Sequence, residues 1–139
     1  MIQLTTKMKS MIVNNLAYIA TVDENGNPDV GPKETMRVLD DNHLIYNEMT
    51  GRQTMHNIAD NGKAIVAVAN KQELKGFRFA GPAQLFTSGV YFEQAQAYAQ
   101  ANNLPAAKAA AVITVEKIYV LDPGPHAGEL IADNAADQA

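Results

Sequence analysis

Apolar residues recur along this chain with two periods, and the switches between them mark its elements. Leu4, Met8, Met11 and Ile12 share one side of a 3.6-residue period, which predicts an opening helix capped by Thr5 or Thr6. Leu16 to Asp23 (LAYIATVD) is rich in β-formers and runs into Glu24-Asn25-Gly26-Asn27-Pro28, where Asn-Gly signals a hairpin. A second extended run, Asp29 to Leu39, ends at the turn cluster Asp40-Asp41-Asn42, and His43 to Met49 follows as a third. Two turns this short leave no room for crossovers, so these strands are expected to form an antiparallel meander.

Thr50-Gly51 then opens a short helix with Met55, Ile58 and Ala59 on its apolar side and Gly62 at its C′ position. Lys63 to Asn70 (KAIVAVAN) is apolar almost throughout, as in a strand covered on both faces. Phe77 to Thr87 reads as a long strand interrupted by Gly81-Pro82, a place for a bulge or an edge. Ser88 can cap a helix to about Asn102 that buries Tyr91, Phe92, Ala95 and Ala99, and Ala110 to Leu121 closes the pattern as a sixth strand. Six strands with three short helices predict a mostly β protein, a small antiparallel barrel. After Asp122-Pro123-Gly124-Pro125 the composition changes: residues 126–139 hold Glu129, Asp133 and Asp137 but no lysine or arginine. They read as an acidic C-terminal tail behind a single domain of residues 1–125.

Composition narrows the function classes. With 139 residues, 47% of them hydrophobic and 19% charged, the chain suits one globular domain rather than a disordered segment. No apolar run approaches the ~18 residues of a membrane span. MIQLTTKMKS has no signal-peptide h-region, which points to a cytoplasmic protein. The absence of cysteine excludes disulfides, thiol nucleophiles and cysteine-ligated metals. A net charge of −4 has the wrong sign for binding nucleic acid through its phosphates. There is no G-x-G-x-x-G or P-loop, Ser10 and Ser88 lie outside any nucleophile elbow, and His43, His56 and His126 lack metal-ligand spacing. No metal site is expected.

Two stretches carry more chemistry. The third strand delivers Asn47-Glu48-Met49 to a helix that opens Thr50-Gly51-Arg52-Gln53-Thr54. Unpaired N–H groups at such an opening favour an anion, and Thr50 and Thr54 add hydroxyl donors. Arg52 is a cation at the end where the helix dipole disfavours one, which a bound phosphate would resolve. An arginine extended into solvent accounts for the same residues equally well. In Val30-Gly31-Pro32-Lys33, Pro32 removes a ladder donor and marks an edge or bulge, where a flat ligand can meet backbone groups beside the cation of Lys33. Proline and lysine also protect sheet edges against aggregation, and that reading stands beside the first.

LAYIATVDENGNPDVGPKETMRVLDDNHLIYNEMTGRQTMHNIADNGKAIVAVAN, followed by GFRFAGPAQLFTSG and AAAVITVEKIYVLDPG, resembles the pyridoxamine 5′-phosphate oxidase-like family of FMN-binding split barrels. It is most similar to the small flavin-nucleotide-binding members. The resemblance implies a six-stranded antiparallel split β-barrel that forms a homodimer and holds FMN between two protomers. It places Arg52, Gln53 and Thr54 at the phosphate, Pro32 and Lys33 beside the flavin ring, and the backbone of Asn47, Glu48 and Met49 against it. Many relatives carry lysine where this chain has Gln53. The implied activity is that of an FMN-dependent oxidoreductase acting on a small molecule, with NAD(P)H or another electron donor. A non-catalytic flavin-binding or electron-carrier module, or a cofactor-free or haem-binding split barrel, is the alternative. True oxidases of the family are longer and end in a basic, histidine-bearing segment, so pyridoxamine phosphate oxidation itself is not expected. Apolar groups near Leu85-Phe86 and Ile118-Tyr119 are expected to need cover from a second chain.

Overall fold

A computed structural model describes residues 2–134. The first helix, α1 (Thr6–Asn14), starts where its cap dictates: the Thr5 hydroxyl accepts the Met8 N–H at 3.2 Å, and Met8, Met11 and Ile12 are buried. Strands β1 (Ala17–Val22) and β2 (Pro28–Lys33) form the expected hairpin. Its loop is organised by the Asp23 carboxylate, which accepts from Asn25 and Asn27 N–H, and Gly26 supplies a left-handed residue at φ 84°. These hydrogen bonds hold the Asp23 carboxyl below its ordinary pKa.

The run from Asp29 to Leu39 is two strands, not one. It breaks at a turn in which the Met36 N–H bonds the Lys33 carbonyl at 3.1 Å, and β3 (Arg37–Asp40) leaves in a new direction to pair with β4 (His43–Glu48). The expected meander is therefore absent. β2 pairs only with β1, whereas β4 pairs with β3 and with β7. Thr35 is buried at the turn, and its hydroxyl accepts the Asn47 N–H at 2.9 Å, so the bend is stabilised by a tertiary contact.

Helix α2 (Gln53–Asn61) ends at Gly62, which is left-handed with φ 69° and donates its N–H to Ile58. The helix begins two residues later than Gly51 and buries Thr54, Asn57 and Ile58, while Ala59 faces solvent. Strand β5 (Lys63–Asn70) buries Val66 and Val68 but leaves Ile65 and Ala67 half-exposed, so one chain covers only one of its faces. β6 (Lys75–Phe86) runs unbroken through Gly81-Pro82. Helix α3 (Gly89–Ala101) buries Ala95 and Ala99, with Ser88 at the cap position making no side-chain capping bond. Phe92 is only half-buried. The final run is again two strands, β7 (Ala109–Thr114) and β8 (Lys117–Val120), parted at Val115-Glu116. The segment read as a tail contributes β9 (Leu130–Asp133), which pairs with β8.

Nine antiparallel strands thus replace the six expected, in the order β2-β1-β5-β6-β7-β4-β3, with β8 joining β6 and β9 beyond it. β2 and β3 end this path without pairing, which leaves a mostly β, split barrel that is not closed. The main core, including Ile19, Leu44, Tyr46, Val66, Phe79, Ile113 and Ile118, lies inside it beneath α1. A second cluster, Ile45, Ala95, Ala107, Ala110 and Val112, lies beneath α3. Leu85 packs against the first cluster, Phe86 stacks edge-on against Tyr91, and Ile118 is fully buried, so that expected apolar surface is largely covered within the chain. Uncovered apolar residues include Tyr18 and Val30 on the outer side of β1 and β2, and Leu130 and Ile131 on β9. Among the described residues no helix is long and apolar enough to cross a membrane.

β6 changes partner at Gly81-Pro82, pairing β8 through Phe77–Ala80 and β7 through Ala83–Phe86. The β7–β8 corner closes on it there: Glu116 N–H bonds the Ala80 carbonyl at 2.8 Å, and a Cβ on Gly81 would overlap the Thr114 carbonyl oxygen. Gly81→Ala is expected to cost about 2–3 kcal/mol by forced repacking. Gly31→Ala, where a Cβ meets nothing within 4 Å, should stay within about 0.5 kcal/mol. Urea-unfolding midpoints of the two variants check the contrast.

Candidate functional site

The gap between β2 and β3 brings the ends of β2 and β4 together. Pro32, Lys33, Glu34, Thr35, Asn47, Met49 and Thr50 line a concavity of about 210 Å³ there. Five residues singled out in the sequence, Pro32, Lys33, Asn47, Met49 and Thr50, therefore share one surface.

Glu48 lies beneath it and is fully buried. Its Oε2 accepts the Thr50 N–H at 3.1 Å, the Gly51 N–H at 3.1 Å and the Thr50 hydroxyl at 3.2 Å. Its Oε1 is 3.4 Å from the Lys33 ammonium, whose side chain is only 14% exposed. Lys33 also lies 5.2 Å from the centre of the Tyr46 ring. Burial, and then the Glu48 charge, push the Tyr46 phenol above its ordinary pKa. The Tyr46 hydroxyl has no hydrogen-bond partner among the described residues.

Asn47 acts here as a tie between elements. Its Nδ2 donates to the Ala95 carbonyl of α3 at 2.8 Å, and its Oδ1 accepts from Arg37 Nη2 at 3.2 Å. Arg37 also donates to the Thr35 carbonyl and stacks 3.7 Å from the Tyr98 ring centre. Burial lowers its pKa, with Tyr98 acting in the opposite sense. Thr35 and Arg37 escaped the sequence reading because both sat inside an assumed continuous strand. The split at Lys33–Met36 is what turns them toward the site.

The start of α2 divides its residues. Arg52, at the N-cap, is exposed, makes no ion pair among the described residues, and no side chain caps the first turn. Thr54 is buried, and its hydroxyl donates to Asp29 on β2 at 3.1 Å. Gln53 donates to Asn57 at 2.7 Å and lines a separate concavity of about 290 Å³ with Asp23, Glu24 and Asp60. Arg52 and the uncapped turn thus remain open to a ligand anion, whereas the Gln53 and Thr54 side chains already have intramolecular partners. Among the described residues no group of three or more histidine or acidic side chains is arranged to hold a metal.

The fold is that of a split barrel with a concavity at its seam. Residues 4–122 match the family described as pyridoxamine 5′-phosphate oxidase, and the chain belongs to it. The crystal structure of HupZ from Group A Streptococcus is similar at a TM-score of 0.83 and 46% identity, covering 89% of this chain and 98% of that one. An uncharacterised protein of Methanocaldococcus jannaschii is 30% identical over 134 residues, 94% of this chain and 89% of its own. An FMN-binding protein from Syntrophomonas wolfei shares the fold at a TM-score of 0.73 and 21% identity, over 87% of this chain and 88% of that one.

Removing an unpartnered buried hydroxyl relieves a desolvation cost that no bond offsets. Tyr46→Phe is therefore expected to hold or raise stability, by up to about 1 kcal/mol, as read from its urea midpoint. A loss of that size would reveal a partner for the hydroxyl.

Proposed function

We propose that this protein binds FMN at the β2–β4 seam and works as an FMN-dependent oxidoreductase on a small molecule, accepting electrons from NAD(P)H or a similar donor. The observation that carries the reading is the concavity of Pro32, Lys33, Asn47, Met49 and Thr50 beside an uncapped helix start bearing an unpaired arginine. Family membership supports it, as does the fold shared with an FMN-binding protein.

The residues fit the cofactor in two parts. Arg52 and the free N–H groups of the first α2 turn would hold the phosphate, a site made favourable by donor geometry and helix dipole together. Pro32, Lys33 and the Asn47–Met49 backbone would lie along the ring. Bound flavin supplies the hydride and electron chemistry. The chain's own part is to orient the ring and exclude water from it, which Met49 and Pro32 serve by lining the wall.

A concavity of about 210 Å³ is small beside the ~300–1,000 Å³ of sites that enclose such ligands. A second copy of the chain supplies the missing wall in this reading. The outer sheet face beside the seam is apolar: Tyr18 pairs across to Pro32 and Ala67, and Ala20 to Val30 and Ile65, all on one side. Val30 is 66% and Tyr18 45% exposed in the single chain. Such a face suits a two-fold pair that buries it and closes the site.

Two measurements test this. Arg52→Ala should weaken FMN by about one to two orders of magnitude, through loss of a charge-assisted contact, and leave riboflavin affinity nearly unchanged. Equal losses for both ligands, read by flavin-fluorescence titration, would remove Arg52 from the phosphate site. Sedimentation at micromolar concentration should give about twice the 15.0 kDa chain mass. Val30→Glu should shift it toward monomer and weaken FMN together, whereas a monomer that binds FMN fully would end the shared-site reading.

A further inference from the structure

The Glu48 carboxylate lies where an anionic ligand would otherwise go. The consecutive N–H groups of Thr50 and Gly51 point to the same side, onto Glu48 Oε2, and Gly51 carries the chain onward in the left-handed conformation at φ 68°. Such a concave pair of backbone donors is an anion-binding nest. The Thr50 hydroxyl adds a third donor and the Lys33 ammonium a positive charge from another strand, fifteen residues away in sequence. Three donors meet on Oε2 and the cation on Oε1, and the Glu48 carboxylate is removed from water while Thr50 stands exposed at its mouth.

We propose that Glu48 determines the specificity of this cavity: it fills the Thr50–Gly51 nest with the chain's own anion and neutralises Lys33, so the seam accepts a neutral ligand edge and rejects a phosphate or carboxylate. The proposal concerns the cavity assigned to the flavin ring and rests on that reading for what the neutral edge is. The nest itself does not depend on flavin.

Three observations favour this over an ordinary local turn. A side chain that only bonded its own loop would have no need of a buried lysine from β2. Glu48 is held by its backbone too, because the Lys108 N–H bonds its carbonyl at 2.8 Å, so the carboxylate is aimed into the nest from a fixed strand end. Finally, the nest faces the wall of the concavity: Thr50, its first donor, and Lys33, its cation, both line that concavity. With Lys33 paired, Arg52 at the start of α2 and Lys108, whose side chain lies against Gly51, are the cations beside the seam left for a ligand anion. The ligand class that follows has a single anionic end at α2 and an uncharged body at the seam.

Inorganic phosphate is the probe. With the α2 phosphate site removed by Arg52→Ala, it should leave the Thr50 and Gly51 amide resonances in place, and movement of those resonances at millimolar phosphate would overturn the proposal. Glu48→Ala opens the nest and frees Lys33, and should bind phosphate about tenfold more tightly or better, with shifts at Thr50 and Gly51. Adding Lys33→Met to that variant should abolish the gain. If Glu48→Ala does not fold, Glu48→Gln keeps the volume and removes the charge. It should still gain about threefold, and lose the gain with Lys33→Met. Variants that fold and bind phosphate no better than wild type would refute the proposal. A phosphate gain in a protein that fails to bind FMN would sink the flavin reading and leave the nest standing, while FMN binding without any gain would do the reverse.

Discussion

One strand holds the molecule together, and one residue in it makes the arrangement sterically possible. β6 gives one edge to β5 from Lys75 to Pro82 and divides the other between β8 and β7. A strand has only two edges, so two partners on the same edge must abut, and the corner joining them must pass over the point of transfer. The β7–β8 corner does so at Gly81, where any side chain would meet the Thr114 carbonyl. Pro32 and Pro82 mark different devices. Pro82 lies in β6 at the exchange of partners, whereas Pro32 is on a sheet edge where a missing N–H leaves nothing unpaired.

From that division follows the seam. With β7 carried to one side by β6, β4 and β3 are drawn into one half of the sheet and β1 and β2 into the other. The chain between β2 and β3 must then cross from one half to the other within three residues, and it does so in the tight turn after Lys33. Apart from the Tyr46 hydroxyl, the polar groups so brought inside are paired. Thr35 bonds Asn47, Asn47 bonds Ala95 and Arg37, and Lys33 meets Glu48. A buried ion pair seldom adds much stability against an apolar equivalent, but leaving either member alone is costly. Lys33 and Glu48 therefore act mainly to hold the two strand ends in one relation across the gap.

The family relation is a statement about backbone, and the chemistry of the site is a statement about side chains. The split barrel is shared with the similar solved structures. At the seam this chain packs a carboxylate into backbone donors, and in a separate concavity it sets a glutamine beside Asp23, Glu24 and Asp60. Both features alter the charge offered to a ligand without altering the path of the chain.

Local physics made much of this legible in advance. Thr5 as a cap, Asn25-Gly26 as a hairpin loop and Gly62 as a helix stop each depend on backbone preferences acting over a few residues. Pro32, Lys33, Asn47 and Met49, which the family resemblance set beside a ligand, share one surface, while Glu48 lies buried beneath it. Strand pairing was not legible, because β-formers specify extension and not partners. Asp29–Leu39 read as one strand until the buried Thr35 broke it, and Ala110–Leu121 until Val115-Glu116 turned over Gly81. Residues 126–139 carried no apolar period, yet Leu130–Asp133 find a free edge on β8. The sequence alone determined the β class, the caps and the turns, since these follow from neighbouring residues. Only the tertiary structure decided that Glu48, one acid among fifteen, is buried against Lys33 and the Thr50–Gly51 donors, because that depends on which strand ends meet across the seam.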